Sequence, residues 1–476
     1  MKKYLIISSI SLLAFGACTK DIDRFNEQTK QAATVPAATL FSNGVRNLTN
    51  ALASPNVNTN VLRLTVQHWT TTTYTDEPNY DFTTRAIPQT FWRILYRDVL
   101  ANLQEAKRLI PTDITTTEAT QKNQTAVTDI MQVYTYSVLV NTYGDVPYTE
   151  ALDPNNLFPK YDDAKTIYDD LFTRLDADIA ALDAAASGFS STSDIVYAGS
   201  ISKWIKFANS LKMRLAMTIA DADAAKAQAA VEQADAGAFT AAADNAVIQY
   251  FSTTPNNNPI WADLVQSKRQ DFVAAEPFVS KLVALSDPRL PVYFKTNDAG
   301  AYVGGKVGSN NTYTLFAKPG TVLENPALPA LLLSYDEIEF YRAEAKERGF
   351  NVAGTAAAHY TNAVTASIVY WGGTAAQAAT YLAQPTVAYA TASGNYKEKI
   401  GTQKWIALYN RPVEAWTEVR RLDYPVLPAP AAAKSGFPNR LTYPTNEQTL
   451  NNSSYTAAAG KMGTDNVETK IFWDKF

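Results

Sequence analysis

Residues 200–219 read Ser200-Ile201-Ser202-Lys203-Trp204-Ile205-Lys206-Phe207-Ala208-Asn209-Ser210-Leu211-Lys212-Met213-Arg214-Leu215-Ala216-Met217-Thr218-Ile219. Ile201, Trp204, Ile205, Ala208, Leu211, Leu215 and Ile219 recur every three or four positions, which places them on one face of a helix. The same period extends outward in both directions. In 89–110 it is carried by Phe91, Leu95, Val99, Leu103, Ala106 and Ile110, and Pro111 stops it. In 121–143 it is carried by Val127, Ile130, Met131, Tyr134, Val138 and Leu139, with Gly144 placed as a C-terminal cap. Further helices are expected over 163–182, 224–236, 335–348, 356–370, 375–383, 396–409 and 412–421.

Two irregular stretches interrupt the helices. Residues 53–87 are rich in Thr, Asn and Pro with rings between them; 246–329 mix Asn, Gly and Pro with short β-like pieces such as Val292-Tyr293-Phe294. Helix pairs with long loops thrown out between them predict a mostly α fold, an irregular helical-repeat scaffold forming one interwoven domain over 39–476. No clean 34-residue repeat signature is present. The Pro- and Asn-rich tail from Pro425 to Phe476 carries enough rings to pack over the body.

The chain begins Met1-Lys2-Lys3, continues through an apolar run to Phe15, and reaches Gly16-Ala17-Cys18. A basic start, a short apolar stretch and small residues predict a secretory signal peptide over 1–17. Cys18, the single cysteine, then becomes the first mature residue and the expected lipid attachment point, carrying diacylglycerol and a further acyl chain of the palmitate type. At about 0.8 kcal/mol per buried methylene, several such chains hold a protein firmly to a membrane. Residues 18–38, polar and without period, are expected to be the tether.

With one cysteine and only His68 and His359, the sequence excludes a disulfide framework and a cysteine zinc site, and makes a serine–histidine relay hard to assemble. No metal, cofactor or catalytic residue is expected. The formal charge is −4 and no basic block stands out, so nucleic acid is not an expected partner. Only 18% of residues are charged, against 26 Tyr, 20 Phe and 8 Trp. Such a composition suits neutral or amphipathic ligands, because a ring has an apolar face and a polar edge.

Six stretches resemble one family. Asn141-Thr142-Tyr143-Gly144-Asp145-Val146-Pro147-Tyr148-Thr149-Glu150-Ala151 is similar to the "YGDIPYSEA" motif of SusD/RagB-type outer-membrane nutrient-binding lipoproteins, and 202–216 to their "WxKFANSLKLRLA" helix. Leu333-Ser334-Tyr335-Asp336-Glu337-Ile338-Glu339-Phe340-Tyr341-Arg342-Ala343-Glu344-Ala345, Gln403-Lys404-Trp405-Ile406-Ala407-Leu408-Tyr409, Glu414-Ala415-Trp416-Thr417-Glu418-Val419-Arg420-Arg421 and Arg440-Leu441-Thr442-Tyr443-Pro444 complete a collinear set. Lys20-Asp21 is similar to the surface-export cue of these lipoproteins. The resemblance implies tetratricopeptide-like helix pairs on a non-enzymatic protein anchored to the outer membrane and facing the cell exterior. It also implies a TonB-dependent, SusC-like transporter as partner and an oligosaccharide or a peptide as ligand.

The residues leave several roles open. The Tyr143–Ala151 motif reads as helix-exit punctuation more than as a binding loop. Glu337, Glu339 and Glu344 invite a surface glycoside hydrolase with paired carboxylates, although Glu337 and Glu344 would lie about 10 Å apart along a helix. Arg342, Lys346 and Arg348 offer those acids ordinary charge partners. Arg420-Arg421 could clamp an anion or satisfy nearby carbonyls. A purely structural lipoprotein is the third reading.

Residues 68–82 set rings among hydroxyls and acids without a period that would bury them. Trp69, Tyr74 and Tyr80 would offer a sugar its flat apolar surface, and Asp76, Asn79 and Arg85 hydrogen-bond partners. The alternative is a loop packed on the body by its own rings. Trp261, Tyr293, Tyr302 and Tyr313 form the second candidate set, with a core role as their alternative.

Overall fold

The computed structural model describes residues 35–476. The expected signal peptide, Cys18 and the tether up to residue 34 lie outside the described residues. Helix α1 (Ala37–Ala53) follows Pro36, so the last two residues assigned to the tether, Ala37 and Ala38, are already helical. It buries Phe41, Val45, Leu48 and Leu52 on one face.

Helix α2 (Ile87–Arg93) passes through π-helical turns at Ile94–Leu100 into α3 (Ala101–Leu109), which together make the helix expected over 89–110. Then come α4 (Glu118–Tyr143), α5 (Ala164–Ala181), α6 (Ile201–Thr218) and α7 (Ala224–Ala234). After the irregular middle follow α8 (Tyr335–Glu347), α9 (Ala356–Tyr370), α10 (Ala375–Leu382), α11 (Tyr396–Ala407) and α12 (Pro412–Leu422). Sequence neighbours pack against one another in pairs: α4 on α5, α5 on α6, α6 on α7, α8 on α9, α9 on α10 and α11 on α12. The mostly helical, paired-helix architecture expected from the periodicity is the one the chain adopts.

Local chemistry sets the boundaries. Asp163, Thr355 and Asn395 each accept a backbone N–H at a helix start, and Thr374 with Gln377 forms a reciprocal box, each cap contributing about 1 kcal/mol. Gly144 ends α4 at φ 85°, the left-handed half of the map that a side chain disfavours.

Among the described residues eight short strands lie in the loops: β1 (Trp69–Thr71), β2 (Val146–Pro147), β3 (Tyr161–Asp162), β4 (Ala246–Ile248), β5 (Phe272–Ala274), β6 (Phe294–Lys295), β7 (Lys318–Pro319) and β8 (Ala330–Leu333). They form four antiparallel two-stranded ladders, β1–β5, β2–β3, β4–β8 and β6–β7. Of the β-like piece 292–294, only Phe294 is in a strand; Leu290–Tyr293 is a helical turn with Pro291 in its first positions. Two ladders, β1–β5 and β4–β8, join chain segments far apart in sequence. One core cluster accordingly runs from Phe41 to Trp473, and a smaller one joins Phe340, Tyr360, Ile368, Tyr381, Ile400 and Leu422. The tail packs on the body, with Leu441, Tyr443 and Trp473 buried.

A spine of buried ions runs between α6, α8, α11 and α12. Glu337 pairs with Arg214 at 2.8 Å and Arg411 at 2.5 Å; Glu344 takes Arg421 at 2.6 Å and Arg348 at 2.8 Å. Glu418 takes Arg421 at 2.6 Å and Lys404 at 3.0 Å, and Tyr134 and Tyr341 donate hydroxyls to Glu414 and Glu418. Burial works against the charge on Glu418, yet Arg421 and Lys404 hold its carboxyl down to about 2. For Lys404 burial prevails over Glu418 and lowers the ammonium to about 8. Pairs of this kind add little net stability, but removing one partner strands a charge and costs about 3–5 kcal/mol.

Candidate functional site

The spine settles several of the open roles. Glu337, Glu339 and Glu344 are buried and bound to arginines. That occupation removes them as paired catalytic acids. Arg421 belongs to the spine. Arg420 donates to the carbonyls of Asn439 at 2.6 Å and Asn141 at 2.9 Å, lies 3.5 Å from the Trp416 ring centre, and so ties three segments together. The Tyr143–Ala151 motif is likewise structural: the buried Tyr143 hydroxyl donates to Pro88 O at 2.7 Å, and Tyr148 bonds Asp170 and Arg174.

A cleft of about 470 Å³ opens where three loops meet. The β1–β5 ladder sets two of them side by side. Thr71 pairs with Phe272, so the chain leaving β1 runs beside the chain entering β5. There Thr72 N–H donates to Asp271 O at 2.9 Å and Thr72 Oγ1 to Gln270 O at 2.8 Å. The third loop, 305–313, is attached through Asn311, whose N–H donates to Thr72 O at 3.0 Å and whose Nδ2 donates to Thr71 O at 2.9 Å.

Thr72 and Thr73 line one side of the cleft, Gln270 and Asp271 the second, and residues 310–313 the third. The single acid, Asp271, is paired with Arg269 at 2.7 Å. Tyr313 supplies a half-buried ring with the Lys318 ammonium 5.2 Å from its centre. Thr73, Gln270, Asn310 and Thr312 are exposed, and among the described residues their side chains make no hydrogen bond. The site is therefore neutral, rich in free hydroxyls and amides, and edged by a ring.

Of the residues singled out from sequence, Tyr313 lines this cleft, and Tyr74 follows the lining residue Thr73 in the chain. Tyr74 is 51% exposed, with the Arg85 guanidinium 5.6 Å from its ring centre. Arg85 is itself held by buried Glu77, and Asp76 is exposed on the same loop. Trp261 and Tyr302 are half-buried and do not line the cleft.

Four candidates are corrected. Trp69 is fully buried, donates to Tyr409 Oη at 2.8 Å and packs on Phe272, because its strand is covered on both faces. Tyr80 is buried edge-on to Phe437, its hydroxyl accepting from Gln67 at 3.2 Å. Tyr293 is fully buried, stacked 4.1 Å from Tyr409 with its hydroxyl on Ile406 O. Asn79 is buried with its amide spent on Thr75 O and Gly308 O. None of the four presents a surface to a ligand. Sequence reading passed over Gln270, Asp271, Asn310, Asn311 and Thr312; the only hint was the turn-forming cluster Gly308-Ser309-Asn310-Asn311.

A second cleft, of about 360 Å³, lies between α12 and the C-terminal tail, with Phe437 and Arg420 in its lining. Its arginine is committed to carbonyls, as above.

The family model "Starch-binding associating with outer membrane" (SusD-like) matches residues 28–444. Among solved structures, a chitin-binding protein is 27% identical, with a TM-score of 0.81 over 92% of this chain and 100% of its own. A SusD homologue from Bacteroides uniformis is 26% identical, with a TM-score of 0.76 over 92% and 99%. A chitin-binding SusD homologue from Flavobacterium johnsoniae, 24% identical with a TM-score of 0.79 over 91% and 98%, shares the fold. No curated protein matches the chain.

Proposed function

The chain belongs to the SusD-like family, and from that premise we propose that it is a non-enzymatic nutrient-binding protein whose cleft between Thr72, Asp271 and Asn311 holds a neutral oligosaccharide. The observation that carries this reading is the set of uncommitted side chains, Thr73, Gln270, Asn310 and Thr312, converging beside the Tyr313 ring without a free charge. A sugar ring needs an apolar surface against its C–H face and donors and acceptors around its edge. Tyr313 supplies the first, and the hydroxyls and amides supply the second. A peptide would bring charged termini and apolar side chains, for which this lining has less to offer. The 27% identical chitin-binding relative makes N-acetylglucosamine oligomers the first ligand to try.

In the same proposal, residues 1–17 direct export, Cys18 carries the lipid, 18–38 tether the body, and 39–476 form one binding domain on the cell surface. No described helix is long and apolar enough to cross a membrane, which is compatible with attachment by lipid alone. Bound sugar would then pass to a TonB-dependent, SusC-like transporter. Titration of the full-length chain with chitin oligosaccharides tests the ligand. Saturable binding that weakens about tenfold in Tyr313→Ala supports the cleft; a wild-type chain that ignores glycans but binds peptides overturns it.

A further inference from the structure

Asn311 lines the cleft but is only 3% exposed, and its amide is fully engaged. Nδ2 donates to Thr71 O at 2.9 Å, Lys306 O at 3.0 Å and Ser309 O at 2.8 Å, while Oδ1 accepts Lys306 N–H at 2.9 Å. One side chain thus folds its own loop and fastens it to the end of β1.

Asn79 does the same one layer behind. Nδ2 donates to Thr75 O at 2.7 Å and Gly308 O at 2.8 Å, and Oδ1 accepts Ala432 N–H at 2.8 Å. Its backbone carbonyl accepts Lys434 N–H at 2.8 Å. The early loop, the 305–313 loop and the C-terminal tail therefore meet on this residue. Gly308 makes room for it: at φ 75°, an added Cβ would fall 2.0 Å from Asn79 Oδ1.

Two buried amides and one glycine are the fastening between loops that carry the free polar groups. Resting on the ligand cleft proposed above, we propose that Asn79 and Asn311 are positioning residues, which set ligand affinity without touching the ligand. Without them the three loops would sample other arrangements. The apparent affinity then falls by the fraction of molecules that keep the rim assembled, and the loss appears chiefly in the association rate.

The molecule contains its own control. Asn123 on α4 is a clasp of the same kind, its Nδ2 on the carbonyls of Asp183, Ala186 and Ser187 at 2.9–3.2 Å and its Oδ1 on Asp183 N–H. Its partners belong to another loop, and none of them lines the cleft. A merely structural role predicts that the Asn123 and Asn311 clasps behave alike.

The test is stopped-flow and equilibrium binding of an N-acetylglucosamine hexamer to the full-length chain and to Asn311→Leu, Gly308→Ala, Asn123→Leu and Tyr313→Ala. Asn311→Leu and Gly308→Ala are expected to weaken binding about tenfold or more, mostly through slower association, and to speed hydrogen exchange at Thr72 and Tyr313. Asn123→Leu is expected to lower the melting temperature and leave the affinity as it was. Gly308→Ala keeps both asparagines, so its result stands if Asn311→Leu fails to fold. Affinity within twofold of wild type in Gly308→Ala and Asn311→Leu, with Tyr313→Ala impaired, overturns the inference and spares the cleft. Affinity unmoved in Tyr313→Ala as well overturns both.

Discussion

In the spine, Arg214, Arg411, Arg421 and Lys404 are buried against Glu337, Glu344 and Glu418; in the cleft, one acid is paired with Arg269 and the other polar groups are hydroxyls and amides. The first arrangement tolerates almost no change of residue type, because each ion needs its partner at a fixed distance. The second, as the proposed binding site, would hold its ligand through weak, replaceable hydrogen bonds on loops, where one amide or hydroxyl can be exchanged without unfolding the body. Four of the six stretches that resemble the family, 202–216, 333–345, 403–409 and 414–421, carry spine residues. A scaffold held this way can remain recognisable while its ligand changes.

The largest expected effect breaks the spine. Glu337→Ala leaves buried Arg214 and Arg411 with only the more distant Glu414, 3.7 Å from each, and should cost about 3–5 kcal/mol in urea unfolding, with glycan affinity unchanged in the fraction that stays folded. A loss below about 1 kcal/mol would mean that the pairs are screened and the spine carries nothing. Next, Tyr313→Ala should weaken glycan binding by about tenfold, near 1.4 kcal/mol, with unfolding free energy little altered. A protein destabilised instead would make that ring part of the core.

Acid separates the regions more gently. Glu418 titrates at about 2 in the folded chain against its ordinary 4.5, so the folded state binds its proton less readily. Its contribution to stability is complete above 4.5 and drains away as the pH falls from there through about 2. Urea midpoints should therefore drop across that window, and in Glu418→Gln the drop should be shallower. The smallest effect is expected for Trp69→Phe: loss of the hydrogen bond to Tyr409, about 1 kcal/mol of stability, and no change in affinity. A clear loss of affinity there would return Trp69 to the binding surface.

The helices were legible because burying one face of a helix forces a period on the sequence, as Trp204, Ala208, Leu211 and Leu215 show. Charges within apolar helices, such as Arg214 and Glu337, mark positions where only a partner allows burial, although the sequence does not say which partner. The cleft was legible only in outline. Its loops were found because they lack a period, and Tyr313 and Tyr74 because they are rings. Trp69 and Tyr293 misled for the same reason: a ring in a loop region looks alike whether a short strand or a helical turn buries it. Gln270 carried no signal and Asn310 and Asn311 only that of a turn, since their meeting depends on the β1–β5 ladder between segments some two hundred residues apart.

Diffraction from crystals of the chain grown with an N-acetylglucosamine oligomer would locate the ligand outright. Sugar is expected between Thr73, Gln270, Asn310 and Tyr313, with one residue stacked on the tyrosine and the spine unchanged. Sugar bound instead in the C-terminal cleft beside Arg420 and Phe437, with the loop cleft empty, would contradict the proposed site.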